Sequence, residues 1–139
     1  MSEKPNAAHV QYRVPYADTD RMGVVYYANY LVYFERVRNA FLRNAGLPYA
    51  ELESRGVLLP VIRVEADYKR AAGFDELLDL YGWVDARTHT RVSFTCEVRR
   101  NEELLTSGRT IHAVIARESG KPVKVPAEMT AYCDKVTSL

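Results

Sequence analysis

Apolar and polar residues alternate with period two at the start of the chain: Val10, Tyr12, Val14 and Tyr16 interleave with polar neighbours, predicting a half-buried strand over 9–16. Pro15 marks its end or an edge position. A polar turn follows, Ala17-Asp18-Thr19-Asp20-Arg21-Met22-Gly23. From about Tyr27 the period becomes helical: Tyr30, Phe34, Val37, Phe41 and Ala45 advance in steps of three and four. Gly46 stops this helix and Pro48 forbids its continuation. Counted from Asn29 to Ala45, it is roughly 25 Å long at 1.5 Å per residue. A short helix over 49–55 closes at Gly56.

Period two then returns. Ile62, Val64, Ala66 and Tyr68 predict one strand, and 77–87 another, with Gly82 as a bulge or point of close approach. Val92, Phe94, Cys96 and Val98 predict a third, and 104–117 a long last one after the Asn101-Glu102-Glu103 turn. Pro126, at a first helical position, opens a final short helix through Cys133. One strand, one long helix and four strands at hairpin spacing define an α+β domain with a mainly antiparallel sheet of about five strands. One sheet face takes the apolar stripe of the helix. The other must meet solvent or another subunit.

Composition narrows the possibilities without choosing among them. At 139 residues the chain is one domain over its whole length. A net charge of +1 gives no broad attraction to nucleic acid or anionic membrane, so neither is expected as a partner. No apolar run approaches the ~18 residues of a membrane span, and the first twelve residues lack the apolar stretch of a leader. The two cysteines, Cys96 and Cys133, have no metal-ligand spacing, which fits a reducing cytoplasm. One number is uneven: six of the ten tyrosines fall between Tyr12 and Tyr33.

That crowding surrounds the best candidate for chemistry, Asp18 to Tyr27, between the first strand and the long helix. Unpaired N–H groups at a helix N-terminus can stabilise a developing oxyanion, and a carboxylate held before them can act as base or nucleophile on a carbonyl carbon. Asp18 and Asp20 also suit turns or helix caps. Asp20 lies about seven residues before Tyr27, beyond the reach of a cap, and Asn29 is the better local cap if the helix starts later. A magnesium-binding D-x-D lacks partnering carboxylates or a phosphate loop, so no metal is expected.

The stretch Tyr16-Ala17-Asp18-Thr19-Asp20-x-x-Gly23-Val24-Val25-Tyr26-Tyr27-Ala28-Asn29-Tyr30, with Glu35 following, resembles the 4-hydroxybenzoyl-CoA thioesterase family of hotdog-fold proteins. It is most similar to the bacterial acyl-CoA thioesterases associated with the Tol-Pal gene cluster. Asn44-Ala45-Gly46-Leu47-Pro48, the Tyr68 region, Arg91-Val92-Ser93-Phe94 and Val125-Pro126 continue the likeness over nearly the whole chain.

The resemblance implies a hotdog fold, acyl-CoA as substrate, no cofactor, and a homodimer or homotetramer joined through sheet edges with sites at the interface. It makes Asp20 the catalytic carboxylate, the Tyr27 backbone N–H the donor to the thioester carbonyl, Gly23 the shaper of the loop, and Asp18 a supporting residue. Some relatives carry His where Tyr27 stands, a change a backbone contact tolerates. Glu35 matches an acidic position of the motif, or is an ordinary solvated helix charge. Arg87, Arg91, Ser93, Lys121 and Lys124 are candidates for CoA, set against ordinary surface roles for the basic side chains. Hydratase chemistry in the same fold relies on a His–acid pair, and no histidine lies between His9 and His89. A non-catalytic acyl-CoA sensor stays open as a second class; it would not need the Asp20 carboxylate.

Overall fold

The computed structural model describes residues 6–137, with side chains as far as Asp134. The first five residues, on which the leader-free reading partly rests, lie outside the described ones. The elements run β1 (Ala8–Arg13), α1 (Asn29–Asn44), α2 (Tyr49–Ser54), β2 (Val57–Leu58), β3 (Val61–Tyr68), β4 (Leu77–Arg87), β5 (Arg91–Arg100), β6 (Glu103–Ala113), β7 (Ile115–Ala116) and α3 (Ala127–Thr137). Five strands form one antiparallel sheet in the order β1-β4-β5-β6-β3.

This sheet wraps α1, whose buried stripe is Tyr30, Tyr33, Phe34, Val37, Ala40, Phe41 and Leu42. The inward positions of β5, Val92, Phe94, Cys96 and Val98, are all buried, as the alternation requires. Two glycines let the helix seat deeply. A Cβ at Gly108 would lie 2.3 Å from the Phe34 ring, and one at Gly82 would lie 2.9 Å from Val37 Cγ1. Gly82 is therefore a point of close approach. The register shift in β4 falls instead between Val84 and Ala86.

The outer face of the sheet is polar. His9 and Asp79 are hydrogen-bonded there (2.8 Å), and the ion pairs Glu97–Arg99 (3.0 Å, along β5) and Asp85–Arg109 (3.2 Å) lie on it. Three boundaries differ from the periodicity. β1 ends at Arg13, because Val14 turns into the core and Tyr16 opens a 3-10 turn. The long last strand breaks at Val114, where the chain leaves the sheet and Ile115–Ala116 pairs with β2 instead. Ala28, not Asn29, occupies the cap position of α1, and it makes no side-chain cap bond.

Candidate active site

The segment from Tyr16 to Ala28 folds back on itself. Thr19 and Val25 form an isolated antiparallel bridge, closed by Asp20 N–H to Val24 O (2.8 Å) and Tyr26 N–H to Asp18 O (2.9 Å). Gly23 turns the chain at φ +82°, a backbone region that a side chain would strain. The loop is docked on the β3–β4 connection through Val25 N–H to Ala72 O (2.8 Å).

Within it the two aspartates do different work. Asp18 is a latch: Tyr12 OH (2.7 Å) and Tyr33 OH (2.8 Å) both donate to its Oδ2, and the Asn29 amide donates to its carbonyl (2.9 Å). Burial and then the Asp18 carboxylate push both phenols above the usual tyrosine range, so they remain protonated donors. Arg36 covers the Tyr12 ring at 4.5 Å, buttressing one side of the latch.

Asp20 closes an Asx turn, with its Oδ1 accepting the Met22 N–H at 2.8 Å. Its second carboxylate oxygen has no hydrogen-bond partner among the described residues. Asp20 makes no capping bond to α1.

At the start of α1 the turn Tyr26–Asn29 (2.8 Å) precedes the helix, and the N–H groups of Tyr27 and Ala28 donate to no acceptor among the described residues. They carry the positive end of the helix dipole. The Tyr27 carbonyl accepts from Tyr68 OH at 3.1 Å, and Tyr30 OH accepts the Ala72 N–H at 3.3 Å. A depression of about 240 Å³ lies against Tyr27, lined also by Val25, Tyr30, Tyr68 and Arg70. The crowded tyrosines thus form a wall whose hydroxyls also fix the loop.

Asp18, Asp20, Gly23 and Tyr27 share this loop. Arg87, Arg91 and Ser93 come together elsewhere, around a shallow depression of about 120 Å³ at the β4–β5 end of the sheet. Arg87 pairs with Asp134 there. Ser93 is 4% exposed and donates to Asp85. Burial raises the Asp85 pKa, but hydrogen bonds from Ser93, Thr95 and Arg109 outweigh it and hold the carboxyl below its usual range. Lys121 and Lys124 are exposed on the chain after β7, outside that depression.

Glu35 lies on α1 at a third place, a cavity of about 430 Å³ shared with Arg38, Leu42, Leu59, Phe94 and His112. His112 is 2% exposed. Its Nδ1 donates to Leu59 O (2.8 Å), which leaves Nε2 to accept from Thr110 Oγ1 (2.9 Å). Burial and the nearby Arg38 charge lower its pKa, so it is a neutral structural histidine. Sequence reasoning passed over Arg38, Arg109 and the Tyr12–Tyr33 pair; only the tyrosines carried a signal, their crowding. Among the described residues no group of His, Cys, Asp or Glu is placed to hold a metal ion.

A five-stranded antiparallel sheet wrapped on one long helix, with a carboxylate-bearing loop at the helix N-terminus, is the hotdog arrangement. The thioesterase-like superfamily profile matches residues 14–132, and the chain belongs to that superfamily. It is similar to an acyl-CoA thioesterase, YbgC, of Haemophilus influenzae, 35% identical over 120 residues that cover 86% of this chain and 88% of the relative. The acyl-CoA thioester hydrolase YbgC of Escherichia coli O6:H1 is 28% identical over 86% of this chain and 90% of its own. Among solved structures, a DHNA-CoA thioesterase from Staphylococcus aureus superposes with a TM-score of 0.88. It is 28% identical and covers 96% of this chain and 92% of its own.

Proposed function

We propose that the protein hydrolyses an acyl-CoA to a carboxylic acid and CoA, with the Asp20 carboxylate acting on a thioester carbonyl held at the N-terminus of α1. One observation carries this reading: at the N-terminus of α1, one Asp20 carboxylate oxygen and the Tyr27 and Ala28 N–H groups have no hydrogen-bond partner among the described residues. The membership and the YbgC relatives support the same chemistry.

The carbonyl oxygen accepts from the Tyr27 N–H, where the helix dipole stabilises the charge that develops on attack. As general base, Asp20 takes a proton from water; the hydroxide adds to the carbonyl carbon. The C–S bond then breaks and the leaving thiolate recovers a proton. As nucleophile, Asp20 displaces the thiolate to give a mixed anhydride, which water opens. Single-turnover hydrolysis in ¹⁸O-water separates the two, because only the anhydride route can place label in Asp20. Asp18 supports the loop, and Gly23 lets it turn.

Arg91, Lys121 and Lys124 are proposed to meet the CoA phosphates. Arg87 and Ser93 belong to the same end of the sheet and act there with their Asp134 and Asp85 partners. Strand β3 is an open edge whose Val61, Ile62, Val64 and Tyr68 are all more than two-fifths exposed. Two-fold pairing of β3 with a second copy covers that edge and makes a homodimer, with a homotetramer as its further assembly. The buried Cys96 and Cys133 thiols suit a reducing cytoplasm. Membership of the 4-hydroxybenzoyl-CoA and Tol-Pal-associated branches is proposed from the sequence motifs.

Thiol release over aromatic, short and long acyl-CoAs, repeated with Asp20→Asn and Asp20→Ala, tests the function. Turnover by the natural protein, lost in both variants with binding retained, is expected. Binding without turnover across the panel would make the protein a sensor instead.

A further inference from the structure

Among the described arginines that hold no carboxylate, Arg38 is half-buried, whereas Arg21, Arg36, Arg43, Arg91 and Arg117 are exposed. Arg55, Arg63, Arg87, Arg99, Arg100 and Arg109 each hold a carboxylate. Arg38 forms no hydrogen bond or ion pair among the described residues, although burial is strong enough to lower its pKa. Its guanidinium shares the 430 Å³ cavity with apolar walls from Leu42, Leu52, Leu59 and Phe94. Glu35, three residues earlier on the same helix, is exposed and beyond ion-pair distance, but its charge reaches Arg38 and offsets part of the cost of burial. A half-buried cation without a direct partner gains when an anion enters its cavity, and its fork fits a carboxylate in a bidentate pair.

The cavity is lined in part by Leu59, just before the Val61 end of β3, whereas the Tyr27 donor sits at the Tyr68 end. Within one chain these ends are about 23 Å apart at 3.3 Å per residue, too far for a short acyl group. Two-fold pairing of the β3 edges is antiparallel, so it sets the Tyr68 end of one strand against the Val61 end of the other. The cavity then faces a carbonyl held by the partner's Tyr27.

We infer that this cavity receives the far end of the acyl group and that Arg38, supplied by the second copy, selects acyl-CoAs whose chain ends in a carboxylate. The inference rests on the thioesterase reading and on the β3 dimer.

The test compares ω-carboxyacyl-CoAs with alkanoyl-CoAs of matched length by thiol release. The natural protein is expected to favour the carboxylate-ended member by at least about tenfold in kcat/KM, the effect of one charge-assisted hydrogen bond. Arg38→Met brings that ratio close to one, and Arg38→Lys gives an intermediate ratio. Dimers mixed from Asp20→Asn and Arg38→Met chains should recover the selectivity, because the surviving Asp20 then meets an Arg38 from the other copy. A ratio near one in the natural protein, or an unchanged ratio in Arg38→Met, overturns the inference while leaving hydrolysis standing. Mixed dimers without recovered selectivity overturn the shared cavity. No turnover of any acyl-CoA would instead remove the thioesterase reading itself.

Discussion

The latch on Asp18 can be opened one hydrogen bond at a time. Tyr33 is 1% exposed and donates to Asp18 Oδ2 at 2.8 Å, so Tyr33→Phe deletes that bond with little change in packing. Hydrogen bonds to a charged group contribute about 1.5–3 kcal/mol; Asp18 is only half-buried and keeps its bond from Tyr12, which sets the cost at about 1–2 kcal/mol. For a domain of this size that lowers Tm by roughly 3–8 °C.

Catalysis should fall further than stability suggests, because a small misplacement of a reacting group can cost a large factor in rate. We expect kcat to drop about tenfold in Tyr33→Phe, with KM little changed. Asp18→Asn gives the sharper contrast. Both tyrosines donate to one oxygen, which an amide carbonyl can replace, so this variant should keep most of its activity. Asp18→Leu leaves two hydroxyls without an acceptor and should lose it. Thermal unfolding and thiol release on the same preparations decide the matter. An Asp18→Asn protein as inactive as Asp20→Asn would place the Asp18 charge in the chemistry and refute the latch.

Gly108→Ala forces a methyl to within 2.3 Å of the Phe34 ring and 3.0 Å of Glu65 O, so we expect a loss of about 3 kcal/mol, read as a Tm lower by roughly 10 °C. His112 has a lowered pKa when folded, so the unfolded chain binds more protons below its ordinary value of 6.5. Its contribution to stability is present above about pH 6.5 and is lost as pH falls toward the folded pKa; His112→Gln should flatten the fall in Tm between pH 7.5 and 5. Val64→Lys, on the open β3 edge, should shift sedimentation toward the monomer and reduce turnover with it.

Most of the frame was legible because burial follows period in α1 and β5, although the alternating apolar residues of the edge strand β3 are exposed. The helix over 29–44 and the strand over 77–87 lie where the apolar spacing sets them. What periodicity could not supply was tertiary. Val114 continues the alternation of β6, yet its N–H bonds to Thr90 O (2.9 Å) and the chain departs toward β2. Asn29 has cap chemistry, but its amide reaches Asp18 O across the folded loop, a contact set by the Thr19–Val25 bridge. The division of labour between Asp18 and Asp20 is likewise invisible in a D-x-D string; it depends on which aspartate the Tyr12 and Tyr33 hydroxyls can reach. Arg38 reads in sequence as one more helix charge. Only the cavity around it makes it different.

The proposed hydrolysis rests on the open carboxylate oxygen of Asp20. Its most direct test is single-turnover thiol release by Asp20→Asn on an acyl-CoA that the natural protein cleaves, with ligand binding measured in parallel. Acyl-CoA should still bind, and the rate should fall by at least about a hundredfold. A rate within a few-fold of the natural protein's would contradict it.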